Sequence, residues 1–182
     1  MSKANVLLVG LGGVGVIAGY TLERNKRTNL TVVVRSNTNE VKKKGFRIES
    51  VDYGIIESYQ PKSIVETVED SVTDAPFDFI VVATKNIPDI VKVENIISSA
   101  ITPKTTTIVL LQNGIGISDL LFSRFPENAV LSGVSLISSN KYDKTIQHIS
   151  TDDLAIGYFF NKFLTKEFQK QEAEKFISLV FK

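Results

Sequence analysis

Short unbroken apolar runs alternate along this chain with stretches whose apolar positions repeat at helical spacing. Val6-Leu7-Leu8-Val9 marks a strand over residues 4–9, because a continuous run of this kind suits a strand buried on both faces. Residues 13–25 follow as a helix, with Val16, Ile17, Tyr20 and Leu22 as its apolar contacts. Residues 29–35 predict the second strand, and residues 38–44 a short helix closed by Gly45. Residues 46–59 alternate raggedly and predict two short strands. Residues 78–84 and 106–111 are again continuous apolar runs, read as buried strands. Between them Pro88 suits the first turn of a helix running to about residue 100. Residues 115–125 predict a helix stopped by Pro126. Residues 130–139 and 145–149 alternate and predict a hairpin turning through 140–144. Residues 154–158 add a strand. Residues 165–182 form an amphipathic helix with Phe168, Phe176, Ile177, Val180 and Phe181 as its apolar set.

This alternation predicts an α/β fold: a Rossmann-like, doubly wound, mostly parallel sheet with helices on both faces, plus a small antiparallel extension. No repeat, low-complexity tract or linker divides residues 1–182. The last helix carries no Gly or Pro stop signal, which reads as a boundary before a second domain.

Composition narrows the function. With 182 residues the chain can bury a full core. Lys and Arg total 21 against 20 Asp and Glu, a net charge of +1, so general binding to nucleic acid or a membrane surface is not expected. There is no cysteine and one histidine, which excludes disulfides, thiol catalysis and a multi-histidine metal site. No apolar run approaches the roughly 18 residues of a membrane span. The first strand begins almost at once, which leaves no room for a leader and suggests a cytoplasmic protein.

The strongest chemical signal is Gly10-Leu11-Gly12-Gly13-Val14-Gly15, a Gly-x-Gly-x-x-Gly directly after the first strand and opening a helix. In that context Gly10 permits the tight turn. Gly12 lets a pyrophosphate approach the backbone, and Gly15 lets the helix pack close to the strand. Free N–H groups and the positive end of the helix dipole would hold the phosphates.

Ligands of an open parallel sheet bind beyond the carboxyl ends of its strands. The loops there are Gly10 to Gly15, then Arg35-Ser36-Asn37, Thr84-Lys85-Asn86 and Gln112-Asn113-Gly114. All are polar or Gly-rich, and two carry a cation. Arg35 lies twenty residues after Gly15, where an NAD site would carry an acidic residue for the ribose 2′-hydroxyl. A guanidinium with the Ser36 hydroxyl beside it suits a 2′-phosphate instead, so the expected cofactor is NADP(H). Lys85 and Asn113 should stand near the cofactor and substrate. Lys42, Lys43 and Lys44 read as a solvated helix face. His148 reads as structural, Asp152-Asp153 as a turn, and the acidic positions Glu66, Glu69, Asp70 and Asp74 as a solvated loop.

With these residues in hand, the chain resembles the N-terminal domain of the ketopantoate reductase (2-dehydropantoate 2-reductase) family. The resemblance spans essentially all 182 residues. It rests on the glycine loop, Arg35, the Thr84-Lys85-Asn86 and Gln112-Asn113-Gly114 loops, Gly133-Val134-Ser135, Gln147-His148 and Ile156-Gly157. It implies NADPH-dependent reduction of 2-dehydropantoate to pantoate in pantothenate biosynthesis. The glycine loop would hold the pyrophosphate, Arg35 the 2′-phosphate, and Lys85 and Asn113 would meet the nicotinamide and substrate. The segment 137–139 would also approach the cofactor. The family's general-acid lysine and further substrate-binding residues lie in a C-terminal helical domain. No catalytic residue is therefore expected in this chain, which should bind cofactor with little turnover. Two alternatives stand beside this reading: a non-catalytic NADP-sensing or interaction module, and another two-domain NADP-dependent dehydrogenase.

Overall fold

The protein is described here by a computed structural model covering residues 2–35, 38–86 and 92–181. Its strands are β1 (Ala4–Val9), β2 (Thr28–Val33), β3 (Phe46–Ser50), β4 (Gly54–Tyr59), β5 (Ser63–Val65), β6 (Phe79–Val82), β7 (Thr107–Leu110), β8 (Val130–Ser135), β9 (Ser138–Tyr142), β10 (Thr145–Ser150) and β11 (Leu154–Tyr158). Its helices are α1 (Gly13–Arg24), α2 (Thr38–Lys44), α3 (Val93–Ile96), α4 (Asp119–Arg124) and α5 (Lys166–Val180).

Seven strands form one sheet in the order β11-β8-β7-β6-β1-β2-β5. Every pair in it is parallel except β8 with β11. The continuous apolar runs are buried on both faces, as strands between two helical layers must be. Val6, Leu8, Val32, Val81 and Val109 face α1, α5 and the smaller sheet. Leu7, Val9, Val33, Ile80, Val82 and Ile108 face the opposite layer, with Ile97, Leu121 and Phe125. The Rossmann-like, doubly wound arrangement is the one expected.

The smaller sheet runs β4-β3-β10-β9. It is mixed rather than purely antiparallel, because β10 pairs parallel with β3 while the outer pairs are antiparallel. The predicted hairpin of 130–139 with 145–149 is corrected here. The chain leaves the large sheet after Ser135, and only from Ser138 does it pair with β10. The alternation breaks at the crossing, where Leu136-Ile137 and then Ser138-Ser139 stand as like pairs, so the strand predicted to run on to residue 139 is two strands in two sheets.

Three other expectations shift. The helix predicted over 115–125 is helical only from Asp119, because Gly114 and Gly116 take φ of +143° and +73°. Of the helix predicted from Pro88, residues 87–91 lie outside the described residues; α3 and a short turn at Ser98–Ala100 follow. In α5 the buried stripe is Gln169, Glu172, Ala173, Phe176 and Leu179, while Phe181 is exposed. Gln169 bonds the backbone of Asn161, Leu164 and Thr165, and Glu172 accepts from Thr107 at 2.9 Å. Paired in this way, the two polar side chains are buried without penalty from unmet hydrogen bonds. At the other end Asn25 Nδ2 donates to the carbonyls of Leu179 and Val180, and Arg27 to those of Ser178 and Phe181. These side chains serve as the C-cap that α5 lacks in its own sequence.

Candidate functional site

The carboxyl ends of β1, β2, β6 and β7 lie side by side, which gathers the four loops on one edge. Each glycine of the first loop has a distinct physical reason to be there. Gly10 adopts φ +105°, and a methyl group on it would lie 2.8 Å from Thr84 Cγ2 and 2.9 Å from Thr84 N. A methyl on Gly15 would collide with the Gly10 carbonyl, so α1 can pack against the turn only without a side chain there. Gly13 is needed for a reason that its motif does not state. A methyl on it would strike the Ser139 backbone, because β9 crosses directly over the turn.

Gly12 is different. It is the N-cap of α1, it is exposed, and nothing lies within 4 Å of where its methyl would stand. Its φ of −77° is open to any residue. The fold itself does not need a glycine there, whereas a phosphate drawn against the α1 N-terminus does. Leu11 is buried and Val14 half-buried, so their side chains anchor the turn.

Arg35 is exposed just beyond β2 and makes no ion pair among the described residues. Ser36, its expected neighbour in the site, lies outside the described residues. Lys85 and Asn113 are both exposed on adjacent loops. Their spacing is set by residues that the sequence motifs contain but that were not singled out for it. Gln112 is buried and donates to the Thr84 carbonyl and hydroxyl, tying the β7 loop to the β6 loop. The signal in the sequence was a glutamine directly after a buried strand. A residue so placed must bond a neighbouring loop or leave its amide unsatisfied.

Of residues 137–139, Ser139 is the one brought against the glycine turn. Its hydroxyl is buried there without a hydrogen-bond partner among the described residues. His148 stands apart, as expected. It is 1% exposed, with Nδ1 2.7 Å from Ser50 Oγ and Nε2 3.7 Å from Asp52 Oδ2. The Ser50 hydroxyl also accepts from the Asp52 and Tyr53 amides, so it serves as a turn brace. Asp152 lies in the turn before β11 and accepts from Ser135 at 2.6 Å.

Fold and site together define a Rossmann-type domain with an open dinucleotide turn. Residues 6–161 match the family described as ketopantoate reductase PanE/ApbA, and the chain belongs to that family. An uncharacterized protein of Saccharomyces cerevisiae is 38% identical over 175 residues, covering 86% of this chain and 49% of that protein. The meiotically up-regulated gene 72 protein of Schizosaccharomyces pombe is 33% identical over 135 residues, 73% of this chain and 23% of that protein. Among solved structures, the 2-dehydropantoate 2-reductase of Methylococcus capsulatus superposes with a TM-score of 0.78 at 26% identity, over 96% of this chain and 54% of that one. A D-mandelate dehydrogenase solved with NADH and anilino(oxo)acetate shares the fold, with a TM-score of 0.73 at 18% identity, over 97% of this chain and 53% of that one. The chain thus spans about half the length of these two solved structures and of the yeast relative. Among the described residues no helix is long and apolar enough to cross a membrane.

Proposed function

We propose that this chain is the NADPH-binding domain of a reductase that converts the ketone of 2-dehydropantoate, or of a related 2-oxo acid, to the 2-hydroxy acid. Gly12 carries the reading, as an exposed N-cap glycine that no protein contact requires. Arg35 supports NADP over NAD, since an exposed guanidinium just beyond β2, with no ion pair among the described residues, suits a 2′-phosphate. The residue types suit the cofactor: the glycine turn for the pyrophosphate, Arg35 for the 2′-phosphate with Ser36 beside it in sequence, Lys85 and Asn113 for the nicotinamide end and the substrate. The cofactor supplies the hydride. The protein must orient the ketone and stabilise the alkoxide that develops on it. Lys85, an exposed cation on the loop next to that of Asn113, suits the substrate carboxylate.

A proton donor must also reach the alkoxide oxygen. We assign that role to residues outside this chain, so the chain alone binds cofactor with little turnover. The reading places the parent protein in pantothenate biosynthesis and in the cytoplasm. The test is a calorimetric titration with NADPH and with NADH at one salt concentration. Preference for NADPH is expected. Absence of binding to either would leave the glycine turn without a ligand and sink the proposal.

A further inference from the structure

The loop after β7 carries Asn113-Gly114, the one Asn-Gly dipeptide in the chain. Residues 111–114 belong to no helix or strand, and residues 113–116 are all exposed. Gln112 is held by its bonds to Thr84, but the residue after it is not held. Among the described residues the Asn113 carboxamide has no hydrogen-bond partner, and the Gly114 N–H has no backbone acceptor. An electrophilic side-chain carbonyl and a free backbone nitrogen therefore stand next to each other in an open loop.

The backbone itself requires the glycine. Gly114 has φ +143°, a conformation that residues with side chains rarely adopt. A methyl on it would also lie 2.7 Å from Ile117 Cγ2 and 3.4 Å from Asn86 Nδ2. The fold thus rules out the bulkier neighbour that would shield Asn113 from attack.

We propose that Asn113-Gly114 is a site of spontaneous deamidation, which puts a carboxylate where the candidate site has a neutral amide. Asparagine is among the chemically labile side chains. The Gly114 nitrogen attacks Asn113 Cγ. An N–Cγ bond forms, the Cγ–Nδ2 bond breaks, and ammonia leaves with the proton of the Gly114 N–H. Water then opens the cyclic imide at either carbonyl. One opening gives aspartate, and the other gives isoaspartate, whose main chain runs through Cγ. In sum one water is taken up and one ammonia released, with nothing oxidised or reduced. The effect on the site rests on the cofactor reading above. A carboxylate there repels the phosphates of a dinucleotide and an anionic 2-oxo acid, and it has no N–H to donate. The isoaspartyl form also lengthens the backbone by one methylene next to the Gln112 brace.

The experiment incubates the chain at neutral and at mildly alkaline pH and follows it by peptide mass mapping, ammonia release and titration with NADPH. A gain of one dalton at Asn113 is expected, with one ammonia released per chain converted. It should be faster at the higher pH, where loss of the amide proton frees the attacking nitrogen. Asn140, exposed in β9 but followed by lysine, is the internal reference and should convert more slowly. Asn113→Gln should remove the gain. Asn113→Asp stands in for the aspartyl product, with circular dichroism to check that it folds. It should bind NADPH about tenfold more weakly than the fresh chain, the scale of one lost polar contact. No conversion at Asn113, or conversion no faster than at Asn140, overturns the proposal. Conversion that leaves NADPH affinity unchanged overturns its effect on the site. If the fresh chain does not bind NADPH, the cofactor reading fails, while the mass gain at Asn113 still decides the modification by itself.

Discussion

Gln112 Nε2 donates to both the carbonyl and the hydroxyl oxygen of Thr84, at 2.9 and 3.1 Å. Thr84 in turn packs against Gly10, leaving no room there for a side chain. One threonine therefore sets the spacing of three loops: the glycine turn, the loop bearing Lys85 and the loop bearing Asn113.

Replacing Gln112 by Leu keeps the side chain's bulk and removes both donors, so the Thr84 carbonyl is left unmatched. The expected cost is about 1–3 kcal/mol of folding stability, read by urea denaturation. NADPH affinity should fall as well, because Lys85 and Asn113 lose their common brace. A loss below about 0.5 kcal/mol would show that the loops hold their spacing without it.

Gly12→Ala and Gly15→Ala should separate ligand-imposed from fold-imposed glycine. Gly12 has open space, so its alanine variant should unfold within about 1 kcal/mol of the parent, the scale of an N-cap change. Its cofactor affinity should drop sharply. Gly15→Ala drives a methyl into the Gly10 carbonyl and should destabilise the domain itself. Thermal unfolding beside calorimetry reads both. Undiminished NADPH binding by Gly12→Ala would contradict the pyrophosphate assignment.

Arg35→Ala removes an exposed side chain with no ion pair among the described residues, so stability should not change measurably. NADPH should bind roughly tenfold to hundredfold more weakly, with NADH little affected. Equal loss for both would remove Arg35 from cofactor discrimination.

Tyr59 predicts a pH effect. Burial first, and the Glu23 carboxylate second, push its phenol above the ordinary tyrosine range. Its hydroxyl has no hydrogen-bond partner among the described residues. The folded state keeps the proton while the unfolded state releases it near pH 10. The stability that Tyr59 contributes is therefore intact below about pH 10 and is lost as pH rises further. Tyr59→Phe should match the parent within about 1 kcal/mol at neutral pH and lose less stability above pH 10. Parallel losses at high pH would assign the alkaline sensitivity to other groups.

Much of the candidate site was readable because it follows from local chemistry. A short, β-branched apolar run such as Val6 to Val9, ended by glycine, reads as a strand covered on both faces, and glycines at the spacing of Gly10, Gly12 and Gly15 suit a turn that feeds a helix. Alternating strand and helix then place Arg35, Lys85 and Asn113 at neighbouring strand ends, since parallel strands with helical crossovers share one edge. The reasons for Gly13 and Gln112 were not readable. Each depends on a segment 28 or more residues away, Ser139 in one case and Thr84 in the other.

The sequence by itself determined the α/β class, the burial of the central strands and the gathering of polar and Gly-rich loops at one edge of the sheet, because periodicity, turn chemistry and parallel topology are local or nearly local constraints. Only the tertiary structure decided which sheet each part of residues 130–142 joins, since the pairing of Ser135 with Leu154 and of Ser138 with Ser150 depends on strands far along the chain. It also decided that β9 crosses the glycine turn and that α5 buries Gln169 and Glu172 and is capped by Asn25 and Arg27. Those outcomes depend on which distant polar groups find partners and which backbones come into contact. Such pairings are selected by the assembled fold and leave no periodic trace along the chain.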